Sequence, residues 1–176
     1  MLPLTRPATV QDLSQIMTII HEAQANLKAD GVPQWQDGYP DEALIKADIL
    51  SGEAYVLVND IAVIGYAVIR QTPEPNYTIP LDGKWSDDVT PYVSLHRIAI
   101  SSAFRGQHLG QIFMSNLLTW TNYLGFQAIR IDTHPLNQRM QRLIKQVGFT
   151  YNCIVCMDGN VNDIRWAYSL ALPITE

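Results

Sequence analysis

Apolar residues recur along this chain in two rhythms, a helical one and a strand one, and punctuation residues separate them. Leu13, Ile16, Met17, Ile20 and Leu27 lie at helical spacing, with Asp12 in the opening turn and Gly31 at the end, which predicts a first helix. The stretch Val32–Pro40 (VPQWQDGYP) carries two prolines, a glycine and two aromatic residues, so it reads as a loop. A short helix is expected at Asp41–Leu50, closed by Ser51-Gly52. Two strand-like runs follow, Ala54–Val58 and Ile61–Arg70, joined by Asn59-Asp60 as a hairpin turn.

Residues 71–91 are rich in Pro, Asp, Gly and Asn and predict a long loop, a feature that in compact domains is usually functional or mobile. Tyr92–Ile100 (YVSLHRIAI) reads as a strand and Ser101–Gly106 as a turn. Leu109, Ile112, Phe113, Asn116, Leu117, Trp120 and Leu124 then trace the buried stripe of a helix stopped by Gly125. Ala128–Thr133 is a strand, and Met140, Leu143, Ile144 and Val147 mark another helix ended by Gly148. Two last strands, Phe149–Met157 and Asp163–Leu170, flank an Asp158-Gly159 turn. With a weak first strand at Leu2–Pro7, the order β-α-α-β-β-β-α-β-α-β-β implies an α/β fold, a mixed central sheet flanked by helices. No internal repeat, low-complexity run or linker interrupts it, so residues 1–176 read as a single domain.

Composition narrows the function classes. At 47% hydrophobic and 16% charged residues, the 176-residue chain has enough apolar surface to fold and is not a disordered segment. The 12 basic and 17 acidic side chains give a net charge of 12 − 17 = −5, which argues against electrostatic binding to nucleic acid. No segment approaches the roughly 18 apolar residues of a membrane span. The opening MLPLTRPATVQDL lacks the basic-then-apolar pattern of a signal peptide, so a cytoplasmic protein is expected. Cys153 and Cys156 form one C-x-x-C with no second pair and no nearby histidine, a poor zinc site. On a strand they point to opposite faces, as free thiols do in a reducing compartment.

The informative segment is RGQHLG, Arg105–Gly110, where a glycine-bearing turn feeds a helix. Such a junction presents free backbone N–H groups and the positive end of the helix dipole, an arrangement that holds a pyrophosphate without a basic protein. It follows a strand ending Ile98-Ala99-Ile100. Downstream stand Asp132-Thr133-His134-Pro135-Leu136-Asn137, then Met140-Gln141-Arg142-Leu143 and Gly148-Phe149. Together with the opening RPATVQDLSQIM, these segments resemble, in order and spacing, the conserved blocks of the GNAT superfamily of N-acetyltransferases, whose cofactor motif is Arg/Gln-x-x-Gly-x-Gly/Ala.

The resemblance implies acetyl-CoA as cosubstrate, held in three ways. The backbone of Ile98, Ala99 and Ile100 would pair with the pantetheine arm as an added strand. The N–H groups of Arg105, Gly106, Gln107, His108, Leu109 and Gly110 would hold the pyrophosphate, and the Arg105 side chain could add a charged contact. Asn137 would hydrogen-bond near the thiol end, and the same side chain could equally cap the helix it opens. Two residues depart from the pattern. His108 replaces the middle glycine, so its side chain must point away or itself meet the phosphate. Ile144 stands where many members have the tyrosine that protonates the departing thiolate, leaving Tyr151, Tyr123 or a water for that task.

Acetyl transfer to an amine needs a neutral nucleophile, so a base must take a proton from an ammonium whose pKa is roughly 10. His96 is the first candidate, since histidine titrates near neutrality and arylalkylamine N-acetyltransferases carry a histidine at the matching strand position. Asp132 is the second, at the place where ribosomal-protein alanine acetyltransferases put a glutamate; as a structural residue it would pair with Arg130 on the same strand face. His134 is the third, though His134-Pro135 also reads as a rigid turn.

Trp35, Tyr39, Trp85 and Tyr92 offer flat faces to an acceptor, and Asp82, Asp87 and Asp88 make the long loop acidic, which suits a small cationic amine. The expected partners are therefore a small-molecule amine, with no nucleic acid and no membrane. The apolar residues Phe149, Tyr151, Ile154 and Val155 leave enough strand surface for a homodimer. The competing readings are a protein N-terminal or lysine acetyltransferase and a non-catalytic acyl-CoA-binding module.

Overall fold

The structure, a computed structural model, describes residues 3–60, 62–86 and 91–173. Leu2 of the expected first strand, Ile61 of the third and the acidic pair Asp87 and Asp88 lie outside the described residues. The chain divides into two compact units, one of Met1–Ile69 with Arg97–Leu117, the other of Arg70–His96 with Leu118–Glu176. Strand β5 (Tyr92–Ile100) passes from the second into the first between His96 and Arg97.

In the first unit β1 (Leu4–Pro7), β2 (Ala54–Asn59) and β3 (Ala62–Arg70) form an antiparallel ladder. Helices α1 (Leu13–Ala29) and α2 (Glu42–Leu50) cover one face. Ile16, Ile19, Ile20, Ile45 and Ile49 pack there on Val56, Val58, Tyr66, Val68 and Ala99. The 3-10 turn that leads into α1 is closed by a capping box. The Thr9 N–H and hydroxyl both donate to Asp12 Oδ2, at 2.7 and 2.9 Å, and Arg6 adds two bonds of 2.8 Å to the same carboxylate. That guanidinium holds the Asp12 carboxyl down at about 2. Asp41 caps α2 by accepting from the Leu44 N–H at 2.8 Å. Gly65 sits where β3 meets the end of β5. A Cβ there would stand 2.8 Å from the tip of the Ile100 side chain, 3.1 Å from Leu57 Cβ and 3.3 Å from the Ala99 carbonyl oxygen, so any larger residue would force these neighbours to shift.

In the second unit β5 pairs in parallel with β6 (Ala128–Thr133), from Tyr92↔Ala128 to Leu95↔Ile131. Beyond β6 lie β8 (Asn160–Ala171), β7 (Thr150–Met157) and the two-residue β4 (Asp82–Gly83), all antiparallel. Helix α4 (Gln138–Val147) ends on Gly148, whose φ of +104° lets its N–H close the last turn. Helix α3 (Leu109–Tyr123), which belongs to the first unit up to Leu117 and to the second from Leu118, carries its buried stripe on Leu109, Phe113, Met114, Leu117 and Thr121. Ile112, Asn116 and Trp120, expected in that stripe, are only half-buried.

Strands β5 and β6 match the sequence expectation residue for residue. Two expectations need correction. β8 starts at Asn160, three residues ahead of the expected Asp163, because the tight Asp158-Gly159 turn lets polar residues pair immediately. Residues 71–91 are not simply a loop: they hold a 3-10 turn at Pro75–Tyr77 and strand β4, and they bury Glu74 and Tyr77.

Candidate active site

Period-two alternation sends Tyr92, Ser94 and His96 of β5 to one face of the sheet, and the register sends Ala128, Arg130 and Asp132 of β6 to the same face. The segment after β3 lays Glu74 and Tyr77 over it. His96 Nε2 lies 2.8 Å from Ser94 Oγ and 3.4 Å from Glu74 Oε2, with the His96 side chain 16% and the Glu74 side chain 10% exposed. Glu74 is itself anchored. Its Oε1 accepts from the Asn76 N–H at 3.2 Å and from Asn76 Nδ2 at 3.1 Å, and its own N–H donates to Tyr92 Oη at 3.2 Å.

The Tyr77 ring stacks on the His96 ring, centroids 6.3 Å apart, and its hydroxyl donates to Asp132 Oδ2 at 2.7 Å. Arg165 stands 3.9 Å from the other Asp132 oxygen and is held by Asp163. Burial raises the Asp132 carboxyl above the ordinary carboxylate value, against the lowering by Tyr77 and Arg165. Burial likewise drives the Tyr77 hydroxyl well above the usual phenol range. Asp132 thus takes its hydrogen bond from Tyr77. Arg130, the partner expected for it, spreads its guanidinium over Trp85 and Tyr92, 4.1 and 4.0 Å from the ring centroids.

That stacking engages two of the aromatic residues named as acceptor faces. Trp85 and Tyr92 each give a face to the chain's own cation, and Trp85 Nε1 donates to the Tyr77 carbonyl at 2.9 Å, so they brace the site from within. In the first unit Trp35 packs against the hydrophobic cluster, and the Tyr39 hydroxyl accepts from Arg97 Nη1 at 2.6 Å with its ring 43% exposed.

Tyr151 is not brought to His96. It pairs with Tyr168, which pairs with Ile131, so it faces away from the side of the sheet that carries Asp132. It stands edge-on to Trp166 and Tyr168. Tyr123 is 80% exposed at the end of α3. His134 uses Nδ1 to accept the Leu136 N–H at 3.1 Å, the rigid turn its sequence suggests, and burial lowers its pKa. Asn137 caps α4, its Oδ1 accepting from the Met140 N–H at 3.1 Å.

In the first unit the strand bends where the motif's strand section begins. Arg97 has φ +54°, an unusual value for an arginine inside a strand. Its buried guanidinium grips Asp48 through Nε and Nη2, at 2.9 and 2.6 Å, and Asp48 Oδ2 also accepts from Tyr66 Oη at 2.9 Å. Ile98 and Ala99 follow, buried, and the Ser101 N–H donates to the Ile64 carbonyl at 2.9 Å. The ladder with β6 takes in Tyr92–Leu95 and not Ile98–Ile100. Arg105, Gly106, Gln107 and His108 are exposed, with Gly106 at φ +79° and His108 at φ +56°. The His108 carbonyl accepts the Gln111 and Ile112 N–H groups and so opens α3, while Leu109 is buried and Gly110 half-buried. Arg105 reaches back to Asn26 of α1.

Residues 17–149 match the model of the acetyltransferase (GNAT) family. This chain belongs to the GNAT acetyltransferases. An acetyltransferase of that family from Streptococcus agalactiae 2603 is similar over 98% of this chain and 96% of its own, with 34% identity and a TM-score of 0.89. One from Listeria monocytogenes 4b F2365 is 25% identical over 97% and 95%, at a TM-score of 0.73. A phosphinothricin acetyltransferase from Sinorhizobium meliloti, in complex with acetyl-CoA, shares the fold at 20% identity, over 98% and 89%, with a TM-score of 0.68. No curated protein matches the sequence. Acetyl-CoA is the cosubstrate of this GNAT family. Among the described residues no helix is long and apolar enough to cross a membrane.

Several residues of these clusters escaped the sequence reading, among them Ser94, Arg97, Glu74 and Tyr77. Ser94 had a signal, two residues from His96 and therefore on its face, and Arg97 had one, a charge inside an apolar strand. Glu74 and Tyr77 come from a segment whose composition says only loop.

Proposed function

We propose that the protein transfers the acetyl group of acetyl-CoA to the primary amine of a small cationic molecule, with His96 as general base. The observation that carries this reading is the nearly buried His96, on the strand of the cofactor motif and directly before its bend at Arg97, with a carboxylate beside its ring. The imidazole takes a proton from the acceptor ammonium, and the freed amine attacks the thioester carbonyl directly. The C–S bond of the tetrahedral adduct then breaks, coenzyme A leaving as a thiolate that picks up the proton shed by the new amide nitrogen. Backbone N–H groups of Ile98–Ile100 hold the pantetheine arm and polarise that carbonyl as charge develops on its oxygen. The N–H groups from Arg105 to Gly110, in the exposed turn and the start of the 15-residue α3, receive the pyrophosphate. Asp132, fixed by Tyr77, serves as the floor of the histidine site rather than as the first base.

Calorimetric titration with acetyl-CoA comes first; micromolar binding supports the loop assignment, and no binding at millimolar cosubstrate overturns it. A panel of amines then separates catalysis from a cofactor-binding module, which would bind without turnover. With an accepted amine, His96→Ala should lower kcat/KM by about 10²-fold or more below the pH at which the amine deprotonates by itself. An unchanged pH–rate profile would remove His96 from the mechanism. The rival reading, acetylation of protein termini or lysines, predicts turnover with peptides and none with small amines.

A further inference from the structure

We infer that Glu74 is the positioning residue of His96: its carboxylate fixes the proton of the imidazole on Nε2 and turns Nδ1 into the atom that accepts the acceptor's proton. This rests on the reading of His96 as the base and adds which atom acts and what selects it. A carboxylate oxygen has no proton to give, and 3.4 Å from Nε2 it repels a lone pair and attracts an N–H. Ser94 Oγ, 2.8 Å from the same nitrogen, can donate or accept and so follows whichever state Glu74 selects. In neutral histidine one nitrogen carries the proton and the other the lone pair, so choosing Nε2–H assigns basicity to Nδ1.

Glu74 is built for this. Asn76 holds its other oxygen from two directions, Tyr92 holds its backbone, and Pro75 fixes the chain immediately after it. Once His96 has taken the proton, the resulting imidazolium lies beside that carboxylate, as an orienting acid stabilises the histidine of a catalytic triad. Among the described residues, Tyr77 is stacked on the ring and Asp132 lies behind the Tyr77 hydroxyl. Arg130 lies further along the same face, its guanidinium over the rings of Trp85 and Tyr92. Glu74 is the ionisable side chain in direct contact with His96 Nε2 among the described contacts.

The test needs no acceptor. The full chain has four histidines, so imidazole nitrogen-15 spectra can be assigned with single variants. Neutral His96 should appear as the Nε2–H tautomer. In Glu74→Gln, which keeps an acceptor for Asn76 but removes the charge, the tautomers should mix and the proton affinity of that imidazole should fall about tenfold or more. The other three histidines should report an unchanged fold. An Nδ1–H tautomer in the wild type, or an identical tautomer and midpoint in Glu74→Gln, overturns the inference. Should Glu74→Gln not fold, Ser94→Ala decides: Nε2–H persists if Glu74 selects it and is lost if the serine does. Failure of His96 as base is a separate result, read from turnover of His96→Ala, and leaves the tautomer measurement intact.

Discussion

Arg97 and His108 both hold left-handed backbone, φ +54° and +56°, a conformation that costs a side chain roughly 1–2 kcal/mol and glycine almost nothing. The two sites differ in what offsets that cost. Arg97 is held in place by three hydrogen bonds to Asp48 and Tyr39. His108 is exposed, and the backbone conformation itself explains why the cofactor motif favours glycine at this position. His108→Gly should therefore raise stability by up to ~1 kcal/mol, since glycine's extra chain entropy cancels part of the strain relief. Chemical denaturation measures it. A loss of stability would mean that the histidine side chain contributes to the loop.

At the level of elements, the entry to α1 carries a pH-sensitive clasp. The Asp12 carboxyl titrates at about 2 in the fold against 3.8 ordinarily, chiefly through its hydrogen bonds from Arg6. A depressed carboxyl stabilises the fold fully above its unfolded value. That contribution fades as pH drops from about 4 through about 2. Asp12→Asn should cost about 1–3 kcal/mol at neutral pH and flatten the acid limb of the stability curve over that window. Thermal melts between pH 2 and 7 would show it; an unaltered acid limb would place the sensitivity elsewhere.

Elements were also the most legible part of the sequence. Strands β5 and β6 could be bounded from hydrophobic content alone, and Gly148 announced the end of α4. His96 was legible as a candidate because a motif fixed its strand. Glu74 was not, because its role comes from where residues 71–91 fold back, and local composition carries no record of that. The same holds for Trp85 and Tyr92: their flat faces are visible in the sequence, but the arginine occupying them is brought from β6 by sheet register.

On the scale of the whole molecule, each compact unit is organised around its own buried charge. In the first, Asp48 joins α2, β3 and β5 through Tyr66 and Arg97, and Tyr39 ties in the Val32–Pro40 loop. Removing one partner of such a pair leaves the other charge buried and uncompensated, so Asp48→Ala should destabilise the protein by about 3–5 kcal/mol. Urea unfolding is the measurement, and a cost under about 1 kcal/mol would show that water reaches Arg97 in the variant. In the second unit Asp132 and Glu74 are gathered near His96, so acidic groups cluster around the proposed base.

The alternation of β7 has a practical consequence for anyone who wants to watch this protein at work. Cys153 and Cys156 are free thiols on opposite faces of one strand. Cys153 is fully buried, and burial pushes its thiol up to about 11, whereas Cys156 is partly open to solvent. A maleimide dye at neutral pH should therefore attach at Cys156 alone, one label per chain by mass spectrometry. The native sequence then supplies a single-site fluorescent reporter in the unit that holds His96, without engineering a cysteine.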